Sequence, residues 1–388
     1  MTKEKLLLIL AYYYPPYADV SGLRASKFAK YLSTTGWTPW VFTVHPSYYR
    51  EKVSPVPGKN DEDVKIARIP ALKIPGKVWL IKMLFPILAL LFIIKNRKKI
   101  NAVFITGSPF HPFLLTLPVT QCLRIPTVLD FRDSWSINHG FDGKKAIKRR
   151  QKLSEKALMA IERLAIKYAS CVIFATSVLQ NEYQQKFNSY SNKFHTITNG
   201  FDSDDIKFIA QTDTSNHNQL ILAGKFYLYT PEAVESLMIA LQNNPSINFV
   251  YIGNEHEVVK NVAEANNVFD RVKVFPYMTH RKVLEMIAAS GVALMTNGMV
   301  NGLGTKIFEY LALGKPVICL VPKGSVLAQE FGGLPSVFIS HPPHAPQKID
   351  ELLSTAFSVQ ASCTNVDISS YDRRVLTQKL AELLDTVC

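Results

Sequence analysis

The sequence predicts an α/β protein built from two doubly wound, mostly parallel sheets. Short apolar runs alternate with helical stretches along the whole chain, the grammar of strand–helix–strand units. The runs are continuous rather than alternating, as strands covered on both faces are. With 388 residues, 47% of them apolar and 19% charged, the chain is long and apolar enough for two cores.

The first run, Leu6–Ala11, reads as a buried opening strand. Basic residues precede it, as in a secretion signal. It is too short for one, lacks a small-residue cleavage site and stops at Tyr12-Tyr13-Tyr14-Pro15-Pro16. A helix over 22–34 follows, with apolar positions Leu23, Phe28, Ala29, Tyr31 and Leu32, and Gly36 closes it. Further strands are predicted at 40–44, 102–106, 127–131, 171–176 and 194–198, with a helix over 146–168. Loops rich in proline (Pro46, Pro55, Pro57, Pro70, Pro75) separate the earlier ones. The second half repeats the grammar, with strands at 219–223, 248–252, 272–275, 292–295 and 316–320. Its helices are predicted at 231–242, 255–266, 281–289 and 305–313. A last helix, 371–387, is expected to cross back to the first module, so the expected domains are 1–200 with 371–388, and 201–370. Open α/β sheets bind ligands at the carboxyl ends of their strands, so the two sets of loops are expected to face a shared cleft.

The net charge of +13 is divided unevenly. Residues 1–200 hold 30 Lys and Arg against 12 Asp and Glu, and residues 201–388 hold 14 against 19. Five scattered cysteines (Cys122, Cys171, Cys319, Cys363, Cys388) with no C-x-x-C pair argue against a disulfide framework or a zinc site and fit a reducing compartment. The segment 78–94 is exceptional: VWLIKMLFPILALLFII carries one charge, Lys82, between Lys73 and Lys77 on one side and Lys95, Arg97, Lys98 and Lys99 on the other. A crossing there would place the strands at 6–11 and 102–106, which belong to one sheet, on opposite sides of a bilayer. A helix lying in the interface, its basic flanks on anionic headgroups, avoids this; a core helix is the alternative. The basic run Lys144, Lys145, Lys148, Arg149, Arg150, Lys152 and Lys156 lacks aromatic interleaving and any reader motif. It is assigned to lipid phosphates rather than nucleic acid.

The clearest single signal is Asn301-Gly302-Leu303-Gly304-Thr305-Lys306 before a predicted helix. Two glycines let backbone N–H groups approach an anion, Thr305 reads as an N-cap, and Lys306 adds a mobile charge. Two acidic stretches, Asp202-Ser203-Asp204 and Asp61-Glu62-Asp63, resemble the metal–diphosphate D-x-D pattern but lie in polar loops, so no metal and no cofactor are expected.

Seven motifs in order resemble family 4 glycosyltransferases of the two-domain GT-B fold, in the branch with a DFRD motif. They are LILAYYYPPYADVSGLRASKFAKYL (8–32), FITGSP (104–109), IPTVLDFRDSW (125–135), ITNGFD (197–202), LILAGKF (220–226), VKVFPYM (272–278) and GTKIFEYLALGKPVI (304–318). The resemblance covers nearly the whole chain and implies two Rossmann-like domains. It implies that Glu309 binds the ribose hydroxyls of a nucleotide, and that Gly224 and Lys225 stand at the diphosphate. It places Tyr277 near the base, and Gly302 to Lys306 on the pyrophosphate. The first glutamate of the family's paired motif is Asn301 here, which alters the contact to the donor sugar. In the first half, Gly22 and Arg24 stand in the family's Gly-Gly loop with one glycine of the pair missing, as a phosphate or acceptor contact. Of Asp130-Phe131-Arg132-Asp133, Asp133 is assigned to the acceptor hydroxyl and Arg132 to orienting it, with an internal ion pair as the alternative; His111 approaches the same place.

The implied activity is retaining, metal-independent transfer of a sugar, UDP-linked, to a lipid-linked or other saccharide acceptor in surface glycan assembly. The expected setting is the cytoplasmic face of the membrane. Two other readings remain: a non-hydrolysing nucleotide-sugar 2-epimerase, and an inactive binding protein.

Overall fold

The computed structural model describes residues 5–17, 20–49, 64–71, 77–137, 150–209, 216–359 and 366–388. They form two compact units, one from Met1–Asn138, Lys145–Asn199 and Arg373–Cys388, the other built on Gly200–Asp372.

The first unit holds a seven-stranded parallel sheet. Its strands are β1 (Lys5–Leu10), β2 (Trp37–Val44), β3 (Lys65–Ile69), β4 (Ala102–Gly107), β5 (Thr127–Phe131), β6 (Cys171–Phe174) and β7 (Phe194–Thr196). They run in the order β3-β2-β1-β4-β5-β6-β7. The opening run is apolar throughout because both of its faces are covered. Leu8 and Leu10 enter a core with α2 (Lys77–Asn96), α3 (His111–Cys122), α4 (Arg150–Tyr168) and α5 (Ser177–Lys186). Leu7 and Ile9 enter the opposite core with α1 (Val20–Leu32) and α13 (Arg373–Val387). Helix α1 gives way to a 3₁₀ turn that ends at Gly36, whose φ of 84° is the left-handed value glycine adopts freely.

The second unit holds β8 (Asn216–Ala223), β9 (Asn248–Ile252), β10 (Val272–Phe275), β11 (Ser290–Thr296), β12 (Val317–Leu320) and β13 (Val337–Ser340), all parallel, in the order β10-β9-β8-β11-β12-β13. Its helices are α6 (Ser203–Ile209), α7 (Pro231–Asn243), α8 (His256–Ala265), α9 (His280–Ala289), α10 (Lys306–Ala312), α11 (Val326–Phe331) and α12 (Pro346–Ser358). In each sheet the winding reverses between two neighbours, β1 and β4 in one, β8 and β11 in the other. The carboxyl ends of such a pair are where doubly wound sheets open a crevice.

The structure departs from the sequence expectations in identifiable places. Strand β2 starts at Trp37 rather than at residue 40, with Pro39 inside it. Among the described residues the ladder with β3 begins only at Trp40, so Pro39 interrupts no bond of it. Strand β3 lies in the stretch read as proline-rich loop, and α3 follows Phe110 in a stretch for which no element was predicted. The segment 78–94 is neither wholly core nor wholly surface. Ile81, Phe85, Ala89 and Ile93 are buried in the first core, while Trp79, Met83, Ile87 and Leu91 are exposed, Trp79 by 66% and Leu91 by 57%. The basic run 144–156, apart from Lys156, and Asp61-Glu62-Asp63 lie outside the described residues or their described side chains.

Candidate functional site

In the second unit, the residues assigned to the donor come together at the carboxyl ends of β8 and β11. Strand β8 ends at Ala223, and Gly224 takes φ = 141°, which a side chain resists. Its N–H donates to Ile252 O at 2.9 Å and its carbonyl accepts from the Tyr251 hydroxyl at 2.8 Å. Lys225 follows; its carbonyl accepts from the Thr296 hydroxyl at the end of β11, and its Nζ lies 5.4 Å from the Tyr229 ring centroid. Glu255 fixes the rest of the turn, accepting from the N–H groups of Phe226, Tyr227 and Leu228 at 2.5, 3.0 and 2.9 Å. Lys225 is thus carried on a loop whose backbone amides are already satisfied.

The glycine-bearing loop beside it is equally constrained. The Asn297 side chain donates to Gly302 O and accepts from Met299 N–H at 2.9 Å. At Gly304, φ is 70°, the left-handed value that favours glycine; an added Cβ would lie 2.4 Å from the mobile Met295 Cε, which could shift aside. Leu303 is buried and Asn301 is half-buried. Thr305 occupies the N-cap position of α10, but with αR backbone and no side-chain capping bond, so the capping role read from the sequence is not realised. Lys306 opens α10, and its Cε lies 3.9 Å from where a Gly224 Cβ would be, which places its side chain along the β8 turn. The helix is locked onto the sheet by Tyr310, whose hydroxyl accepts from Ala223 N–H at 3.4 Å. One residue earlier is Glu309, a buried carboxylate, with Oε1 2.7 Å from His280 Nε2. Tyr277, on the segment between β10 and α9, is 56% exposed. The structure therefore gathers Gly224, Lys225, Gly302, Gly304, Lys306 and Glu309.

In the first unit the assigned residues separate. Arg24, read as a substrate contact, is buried and committed. Its Nε lies 3.1 Å from both Asp130 carboxylate oxygens, and its Nη2 lies 2.8 Å from Oδ1. The guanidinium also donates to Ile197 O at 2.7 Å and Thr198 O at 2.8 Å. It is an internal clamp, and the substrate role fails because its donors have partners inside the unit. Gly22 is packed against the tyrosine turn: a Cβ there would lie 3.0 Å from Tyr17 O and 3.4 Å from the Tyr14 backbone. The DFRD charges divide among three tasks. Asp130 takes Arg24 and the Thr106 hydroxyl, at 2.9 Å. Arg132 donates from Nε to Gly107 O at 2.7 Å, and Asp133, 61% exposed, lies 3.6 Å from Arg132 Nη2. Helix α3 starts at His111, whose side chain lies outside those described. Asp202, of the D-x-D look-alike, accepts from Asp204 N–H at 3.0 Å at the start of α6, a capping contact.

Two residues that sequence reasoning passed over belong to this account. His280 carries no warning in its spacing. Glu162 does: Glu162, Ala165 and Ile166 form the buried stripe at the end of α4, so an acid stands where an apolar residue is expected. Its carboxyl accepts from Ser136 N–H at 3.2 Å and meets the hydroxyls of Ser136 and Tyr183, and burial raises its pKa above the ordinary glutamate value. It thereby anchors the loop that carries Asp133.

Residues 24–205 match the family model described as Glycosyltransferase Family 4, and residues 225–334 match that described as Glycosyl transferases group 1. No curated protein matches the sequence. Among solved structures, similarity extends to WaaG, a glycosyltransferase involved in lipopolysaccharide biosynthesis, at 14% identity and a TM-score of 0.67 over 97% of this chain and 99% of that one. Anabaena Alr3699/HepE in complex with UDP matches at 15% identity and 0.66 over 98% and 100%. The UDP-GlcNAc 2-epimerase of Neisseria meningitidis bound to UDP-GlcNAc matches at 13% and 0.64 over 98% and 100%. At these identities the likeness establishes the fold, two Rossmann-like domains of the GT-B kind.

Proposed function

We propose that this chain, which belongs to the family 4 glycosyltransferases of the GT-B fold, moves a sugar from a UDP-linked donor to a lipid-linked saccharide at an anionic membrane face, with retention of configuration. The observation that carries the donor half is the gathering of Lys225, Lys306 and Glu309 around the turns at Gly224 and Gly304. Two ammonium groups beside glycine turns suit a diphosphate, whose charge grows as the sugar leaves. The fold neighbour from Anabaena binds UDP, which supports the same choice of nucleotide.

In the reaction the bond from the sugar's anomeric carbon to the diphosphate oxygen breaks through an oxocarbenium-like state, and a bond to the acceptor hydroxyl oxygen forms on the same face. The hydroxyl proton passes to the departing diphosphate. Lys225 and Lys306 carry the developing charge without a metal ion. Asp133, exposed and held by Arg132, is assigned to orient the acceptor hydroxyl.

The acceptor half rests on α2. Its outer residues Trp79, Met83, Ile87 and Leu91 recur every fourth position, so they form one exposed stripe opposite the buried one. Lys95, Arg97, Lys98 and Lys99 follow directly. An apolar stripe ending in cations suits the headgroup region of an anionic bilayer, the helix lying in the plane. Crossing is incompatible with the stripe of α2 that is built into the core. Peripheral attachment at the cytoplasmic face and a role in surface glycan assembly complete this proposal; the stripe and its basic flank support the attachment.

Calorimetric titration with UDP tests the donor site. The unaltered protein is expected to bind, and Lys225→Ala and Glu309→Ala each to weaken binding about tenfold, the effect of losing one charge-assisted hydrogen bond. Equal affinity in all three proteins refutes the site. Turnover of a UDP-sugar with no acceptor present would replace transfer by epimerisation.

A further inference from the structure

We infer that His280 is a positioning residue of the nucleotide site, holding the Glu309 carboxylate in the orientation that receives the donor's ribose hydroxyls; this rests on the donor reading above. Glu309 has a fixed backbone, because Ile307, Phe308, Tyr310 and Leu311 around it in α10 are buried and Tyr310 bonds to the end of β8. Its side chain still has three rotatable bonds, and the His280 Nε2–H, 2.7 Å from Oε1, settles them. A carboxylate oxygen held this way has lone pairs to accept from sugar hydroxyls.

The sequence around His280 leaves the imidazole to this task. Thr279 caps α9, its hydroxyl accepting from Lys282 N–H at 3.4 Å, which fixes where the helix begins and so where its first side chain stands. The neighbouring cations turn elsewhere. Arg281 lies 3.7 Å over the Phe208 ring and 3.2 Å from Glu285, and Lys282 lies 3.3 Å from the same Glu285. The His280 side chain is 43% exposed while that of Glu309 is 11% exposed. The imidazole is therefore the more exposed member of the pair, and its removal leaves the carboxylate in place.

A role in positioning for ribose predicts discrimination, which a merely structural role does not. The test compares binding of UDP and 2′,3′-dideoxy-UDP to four full-length proteins: unaltered, Glu309→Ala, His280→Ala and His280→Gln. The unaltered protein is expected to prefer UDP about tenfold, and Glu309→Ala to lose the preference. His280→Ala should lose most of it while keeping its affinity for the dideoxy analogue. His280→Gln, whose amide can donate to the same carboxylate, should recover most of it. A His280→Ala protein that still discriminates as well as the unaltered one overturns the inference while leaving the donor site standing. Failure of the unaltered protein to bind UDP removes the donor reading and this inference together.

Discussion

Asp130 meets the Arg24 guanidinium inside the first unit, whereas Glu162, equally buried, meets two hydroxyls and a backbone N–H. Removing one partner of a buried ion pair strands the other charge, so Asp130→Ala should cost about 3–5 kcal/mol in a urea melt. Glu162 behaves differently with pH. Burial lifts its folded-state pKa above its ordinary 4.5, so its contribution to stability is complete below about pH 4.5 and is lost as pH rises through the folded value. Glu162→Gln should therefore be less stable than the unaltered protein at pH 4 and equal to it or better at pH 8, by about 1 kcal/mol. A variant harmed more at pH 8 than at pH 4 would mean that the ionised form is the one the fold prefers. At this scale the sequence is informative where chemistry and pattern conflict, as at Glu162 in an apolar stripe or at three charges ending a strand. It is silent at His280, whose partner lies 29 positions away and is met only through the packing of α9 and α10.

Helix α2 contains both alternatives posed for its segment, since one stripe is core and the other is open. Polar residues at Leu84 or Leu88 would disturb the half-buried flanks, so the discriminating change is Trp79, Met83, Ile87 and Leu91 together to Gln. Flotation with phosphatidylglycerol vesicles should show at least a tenfold loss of binding, with little change in Tm because no core contact is removed. Vesicle binding that survives all four changes would move the membrane surface elsewhere. The two-faced burial of β1 was legible because Leu6–Ala11 has no polar side on which to expose a face. Strand β3, KIARI, was not: it is an edge strand, short and half polar, set in a stretch punctuated by prolines.

Each unit winds its own sheet around its own core, and the basic excess belongs to the first, in which α2 stands. The donor residues belong to the second. Hydrogen exchange is expected to report this division: UDP should slow exchange in 224–229 and 297–306 while leaving the amides of β2 and β3 unchanged. Protection confined to the first sheet would assign the nucleotide to the wrong unit here. The two-sheet architecture was legible from strand–helix alternation, and the unequal charge of the halves agreed with it. The substrate roles given to Gly22 and Arg24 were not secure, because the same residues serve the tyrosine turn and the Asp130 clamp, and only tertiary packing separates those uses.

Helix α13 closes part of one face of the first sheet, with Leu376, Leu380, Ala381 and Leu384 packed among Leu7, Ile9 and Trp37, and with Asp385 bonded to Lys5 and to the Trp37 indole. On the ribosome, that face stays open after residue 200 has been made, until residues 373–387 emerge. At 5–20 residues per second the delay is about 10–40 s. During it the nascent chain presents a greasy, unfinished surface to chaperones, while the segment Gly200–Asp372 is continuous and can complete itself first. The half synthesised earlier is thus the half that matures last.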